Sequence, residues 1–157
     1  MGDNAESFVN SWPTQICDTL GAQCHTTAWS GLGLVANCCG FPRAEEAVAS
    51  GGRGGPLGDG SHLMPAIFHR TLATDGDTSW EWSTWIPDAL VINLGTNDGA
   101  SAGTPEYLAA YTDLVTEAFA NYGPQLHVFL ACGPMSEAVS SHSATFVARV
   151  LLAHPFT

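Results

Sequence analysis

The sequence predicts an α/β protein with a parallel sheet, on three observations. Two short apolar runs, Ala89 to Leu94 and Gln125 to Cys132, have the length of strands and lead into glycine turns at Gly95 and Gly133. Between them, from Thr104 onward, apolar residues recur at helical spacing. A strand, a helix and a second strand in that order form the unit whose strands run parallel, joined by a right-handed crossover.

Each element has its own local reason. A first helix is expected over Trp12–Leu20, with Ser11 as N-cap, Pro13 in the first turn where a missing N–H costs nothing, and Gly21 closing the C-terminus. A strand-like stretch follows at Gln23–Ala28 and breaks at Trp29-Ser30-Gly31-Leu32-Gly33. Residues 39–61 turn abruptly to Gly, Pro, Ala and charge, which is the composition of a flexible insertion with little to bury. Pro65 opens a helix expected from Met64 to Ala73, with Ile67, Phe68 and Leu72 on one stripe. Ala89–Leu94, bounded by Pro87 and Gly95, suits a strand buried on both faces. Thr104, with Pro105 and Glu106 behind it, caps a strong helix carrying Tyr107, Leu108, Tyr111, Leu114, Val115, Ala118 and Phe119 on its apolar side. A last helix is expected at 144–152.

Charge removes two classes of partner. The chain of 157 residues carries 15 acidic and 4 basic side chains, a net charge of -11, and all four cations are arginines. A nucleic-acid binder needs a face of phosphate-neutralising cations, and an anionic membrane surface makes the same demand. No apolar run reaches the roughly 18 to 20 residues of a spanning helix, so the chain reads as soluble. The acidic N-terminus has no apolar signal-peptide core, and the compartment stays open. Five cysteines (Cys17, Cys24, Cys38, Cys39, Cys132) allow a disulfide without specifying which. None of them forms a Cys-x-x-Cys pair, and no two histidines show His-x-x-x-His spacing, so no zinc site is expected.

In parallel α/β sheets, ligand sites lie beyond the carboxyl ends of the strands. That singles out the loops 29–33, 95–99 and 132–137. Asn97 stands where its amide N–H can enter a pocket, with Asp98 bracing the turn; the other reading is an ordinary Asn/Asp turn. The glycines at 31 and 33 let backbone N–H groups approach a ligand, or else make a tight turn with nothing bound. Trp80, Trp82 and Trp85 either stack on a sugar ring or pack the edge of the sheet. His69 and His127 fall on a helix face and a strand face, with no partner identifiable from the sequence.

Taken together, Ala28-Trp29-Ser30-Gly31, Met64-Pro65 with Arg70-Thr71-Leu72, the run Trp85-x-Pro87-Asp88-Ala89-Leu90-Val91-Ile92-Asn93-Leu94-Gly95-Thr96-Asn97-Asp98, and Cys132-Gly133-Pro134-Met135-Ser136 resemble the SGNH (GDSL-type) hydrolases. The resemblance is closest to the carbohydrate acetyl esterases of the second carbohydrate-esterase family. It implies a three-layer α/β/α, flavodoxin-like fold and a serine esterase that needs no cofactor. Its substrate would be an acetylated carbohydrate or other small ester. By position, Gly31 (or Gly33, two residues on) and Asn97 would supply the oxyanion hole, with Ser30, Gly95 and Asp98 in support.

The chain also departs from that pattern. Gly2-Asp3 is followed by Asn4 rather than serine and lies too near the first helix to be a nucleophile motif; Ser7, Ser11 and Ser30 do not replace it. His154-Pro155 is a formal match to the family's basic histidine but follows Cys132 unusually closely. The expectation is therefore a single incomplete SGNH-like domain lacking its first, nucleophile-bearing strand and shortened at both ends. As it stands it would be weakly active or inactive. The alternative is a catalytically dead relative that binds carbohydrate or protein.

Overall fold

The computed structural model describes residues 7–38, 63–73, 75 and 77–131. The expected insertion at 39–61, the Cys132–Ser136 motif, the helix at 144–152 and His154 lie outside the described residues. The elements are α1 (Trp12–Leu20), α2 (Met64–Phe68), a 3-10 turn (Trp82–Thr84), β1 (Ala89–Ile92), a second 3-10 turn (Gly99–Ser101), α3 (Pro105–Tyr122) and β2 (His127–Leu130).

β1 and β2 form a parallel pair, in register from Ala89 with His127 to Ile92 with Leu130. α3 is the crossover between them. Its Thr104 cap accepts the Tyr107 N–H at 3.3 Å, Pro105 and Glu106 occupy its first turn, and Gly123 ends it at φ 91°. Tyr107, Tyr111, Leu114, Val115 and Ala118 are its buried face, three or four residues apart except for the neighbours Leu114 and Val115, which share the stripe. Both tyrosines carry their hydroxyls to the sheet: Tyr107 donates to the Leu94 carbonyl at 3.1 Å and Tyr111 to that of Ile92 at 3.4 Å. Buried phenols need such acceptors. The core formed by this face with Leu34, Val35, Ile92 and Ala102 thus has polar ties at the end of β1 that leads into the 95–98 turn. Each of its large apolar side chains contributes about 1.5–3 kcal/mol through burial.

Burial on both faces of Ala89–Leu94 is not what the structure shows. The strand ends at Ile92, and Val91 is 47% exposed beside its register partner Phe129, 57% exposed. α3 covers the face bearing Leu90, Ile92, Val128 and Leu130, and among the described residues no second layer covers the other. The arrangement is α/β, with one sheet of two strands among the described residues.

Two further expectations are corrected. The helix at 64 stops at Phe68 rather than Ala73, because the chain turns at His69, whose carbonyl accepts the Trp80 N–H, and Arg70 folds back on the Ala73 carbonyl at 2.9 Å. Ile67 is fully buried, whereas Leu72 is exposed. Residues 23–28 form no strand, since no neighbouring strand meets them among the described residues. They are exposed coil, held by a disulfide between Cys17 and Cys24 and by His25, whose ring stacks on Trp85 at 4.4 Å and leans on Trp80 at 5.1 Å. Cys38 is disulfide-bonded as well.

The first helix has the expected bounds, with Gly21 in the left-handed conformation at φ 63°. Ser11, however, uses its hydroxyl to donate to the Phe8 carbonyl at 2.6 Å instead of capping α1. Trp82 packs against Phe68 and Tyr122. Burial raises the Tyr122 pKa, opposed by its hydrogen bond with Trp80. His69 does have a partner, Glu117 on α3, at 3.2 Å.

Candidate functional site

Beyond the C-terminal end of β1 the chain turns at Gly95, which is buried at φ 122°, a conformation that only glycine takes readily. The Gly95 carbonyl accepts the Asp98 N–H at 3.2 Å, and the Asp98 carbonyl accepts the Ser101 N–H at 3.0 Å. This is the Asn/Asp turn that local sequence suggests. Its side chains do more than close it.

Asp98 is 3% exposed, the only buried charged side chain among the described residues. Its Oδ2 accepts the Leu34 N–H at 3.0 Å, and its Oδ1 accepts those of Val35 at 2.7 Å and Ala36 at 3.0 Å. Three consecutive backbone amides converging on one carboxylate form an anion nest, here filled by the protein's own side chain. Charge-assisted bonds of this kind are roughly twice as strong as neutral ones. The residue next to it, Asn97, donates from Nδ2 to the Leu32 carbonyl at 2.7 Å. Two loops more than sixty residues apart are thereby joined by four hydrogen bonds.

The acceptor loop is shaped for this. Gly31 is buried at φ 84°, and its carbonyl accepts the Cys38 N–H at 3.0 Å, closing the loop on itself. Gly33 is required by space: a Cβ there would overlap the Ala36 carbonyl oxygen and stand 2.8 Å from Asp98 Oδ2. The Gly33 N–H is taken by Asn37 Oδ1 at 3.0 Å, and its carbonyl accepts the Met64 N–H at 2.9 Å, which ties in α2. Among the described residues the Gly31 N–H donates to no group. So of the two glycines, Gly31 keeps a donor to offer and Gly33 gives its own to the loop. Leu32 is buried with Met64 and Ile67, and Ser30 is exposed beside them.

The structure therefore brings Gly31, Gly33, Gly95, Asn97 and Asp98 together and leaves Ser30 on the surface, while His154 lies outside the described residues. Asn37 is a residue that sequence reasoning missed. Its position after the glycine turn carried no signal beyond that of any polar loop residue. Among the described residues, no group of three or more His, Cys, Asp or Glu is placed to hold a metal ion. No helix among them is long and apolar enough to cross a membrane.

No protein-family model matches the chain. It is similar to the cellulase/esterase CelE of Acetivibrio thermocellus, with 36% identity over 134 residues, covering 84% of this chain and 14% of that protein. A solved family two carbohydrate esterase from Clostridium thermocellum, in complex with cellohexaose, superposes with a TM-score of 0.67 at 29% identity over 88% of this chain and 38% of its own. A carbohydrate esterase family 2 enzyme with a carbohydrate binding domain from Corynascus thermopiles (Myceliophthora fergusii) gives 0.65 at 28%, over 88% and 42%. The chain thus spans about two fifths of the solved relatives and a seventh of the curated one. Over that part, the chain is a relative of the family two carbohydrate esterases.

Proposed function

We propose that this chain carries the oxyanion-binding part of an SGNH-type carbohydrate O-acetyl esterase, whose full-length form has the three-layer α/β/α fold and hydrolyses acetyl esters on a saccharide through a serine acyl-enzyme. Residues 1–157 would form a single incomplete domain, with 39–61 as its insertion. The observation that carries the reading is the Asp98 nest beside the bond from the Asn97 amide to the carbonyl of Leu32, the residue after Gly31, which leaves the second Asn97 N–H and the Gly31 N–H without an acceptor among the described residues. Two such donors meet the need of a tetrahedral acyl intermediate, whose oxygen gains negative charge as the nucleophile attacks. The substrate class follows from the kinship with carbohydrate esterases, one of which is solved with cellohexaose bound.

The nucleophile and the base have no counterpart among the described residues. Ser30 is exposed and, among the described residues, hydrogen-bonded to no histidine, so this chain alone should turn over acetyl esters feebly or not at all. The same observation favours a second reading, a module that binds acetylated saccharide or protein without hydrolysing it. The test is acetate release from acetylated cello-oligosaccharides by the full-length protein, with and without Asn97→Ala. Loss of one oxyanion donor should lower kcat by about 10² to 10³. Unchanged kcat would remove Asn97 from the chemistry, and saturable binding with no acetate released would establish the binding module.

A further inference from the structure

We propose that the peptide Asp98–Gly99 is a latent site of isoaspartyl modification, which the hydrogen bonds to Asp98 hold shut in the folded chain. The sequence contains three Asp-Gly pairs, at 59–60, 75–76 and 98–99, and glycine is the neighbour that shields its own nitrogen least. In the reaction, the Gly99 nitrogen attacks Asp98 Cγ in its protonated carboxyl form. A C–N bond forms, a Cγ–O bond breaks, and the hydroxyl leaves as water with the amide proton. The resulting succinimide takes up one water. Opening at the former backbone carbonyl leaves the chain running through Cβ and Cγ, so the net change is an isomerisation without oxidation.

The geometry around Asp98 opposes each part of this. Both carboxylate oxygens are engaged by the Leu34, Val35 and Ala36 N–H groups at 2.7 to 3.0 Å, so the carboxyl does not rotate toward the Gly99 nitrogen without breaking them. The backbone is fixed too, at ψ -18°, with its carbonyl held by Ser101. Asp75 begins the same dipeptide with a freer side chain: it is exposed, and among the described residues its carboxylate takes one N–H, from Asp77, on Oδ1 at 3.0 Å, while its backbone carbonyl is held by the Thr78 N–H at 3.3 Å and the Thr78 hydroxyl at 2.8 Å. The chain carries its own comparison of a shut and an open Asp-Gly. Once formed, isoaspartate at 98 sets its carboxylate on a backbone longer by one methylene, and the three amides lose their acceptor. The modification therefore cannot be reversed by refolding, and its rate is set by how often the two loops part.

Peptide mapping that separates aspartate from isoaspartate, on the purified chain aged at neutral pH with and without concentrated urea, tests this. In buffer, Asp98 should convert at least about tenfold more slowly than Asp75, and in urea the two should agree within about twofold. Gly33→Ala, which crowds the carboxylate from the opposite loop, should raise the Asp98 rate toward its urea value and leave that of Asp75 unchanged. Equal rates in buffer, persistent slowness of Asp98 in urea, or no response to Gly33→Ala would each overturn the proposal.

Discussion

The site loops and the N-terminal arm are built on opposite terms. Residues 31–37 and 95–98 are far apart in sequence, mostly buried, and joined by polar bonds that no local segment can make for itself. The arm, residues 7–28, makes its polar bonds locally and reaches outside itself through the His25 ring on Trp80 and Trp85. Its hydrogen bonds span six residues or fewer, its disulfide spans seven, and Phe8, Val9, Trp12, Ile16 and Leu20 are all exposed. A shallow groove on α1, lined by Trp12, Gln15, Ile16, Thr19 and Leu20, belongs to this arm and is made by one helix alone. Precision at the site thus comes from a buried charge that collects amides from elsewhere, whereas the arm keeps its shape through its own caps and crosslink.

That contrast can be broken most severely at Asp98. Asp98→Ala leaves two buried N–H groups and one partly buried without an acceptor, and a loss of about 3–5 kcal/mol is expected in urea unfolding after some relaxation and water entry. Gly33→Ala meets a backbone carbonyl that cannot turn aside, and about 3 kcal/mol is expected in the same measurement. Breaking Cys17–Cys24 with Cys24→Ser releases a short loop, worth about 2–3 kcal/mol in the chain-entropy account. Here the location sharpens the comparison: hydrogen exchange should quicken in α1 and not in residues 31–37. Ile16→Ala, on a half-exposed position, should change stability by no more than about 0.5 kcal/mol. A larger loss there would mean that α1 packs against something beyond the arm.

What was legible in the sequence follows the same division. α1 has the bounds, and α3 the start, expected of them because Pro13, Gly21 and Thr104 act within one turn of the helix ends they mark. The parallel pairing of β1 and β2 also follows from the order of elements. The strand expected at 23–28 failed because a strand needs a neighbour, which periodicity does not supply. The helix from Met64 overshot because its end depends on Trp80 reaching the His69 carbonyl. At the site, glycines and an Asn-Asp pair signal turns wherever they occur. That Asp98 would gather the amides of 34–36, and that Asn37 would take the Gly33 N–H, depends on two loops meeting, and this has no local signature. The pairing of His69 with Glu117 was hidden for the same reason.

The central claim is that Asp98 holds the glycine loop in place for Asn97. Residue-resolved hydrogen exchange in the intact chain and in Asp98→Asn tests it most directly. The account predicts that the amides of Leu34, Val35 and Ala36 exchange slowly and as a set, and that all three accelerate together in Asp98→Asn while residues 22–28 exchange fast in both proteins. Protection of those three amides that survives the substitution would contradict it.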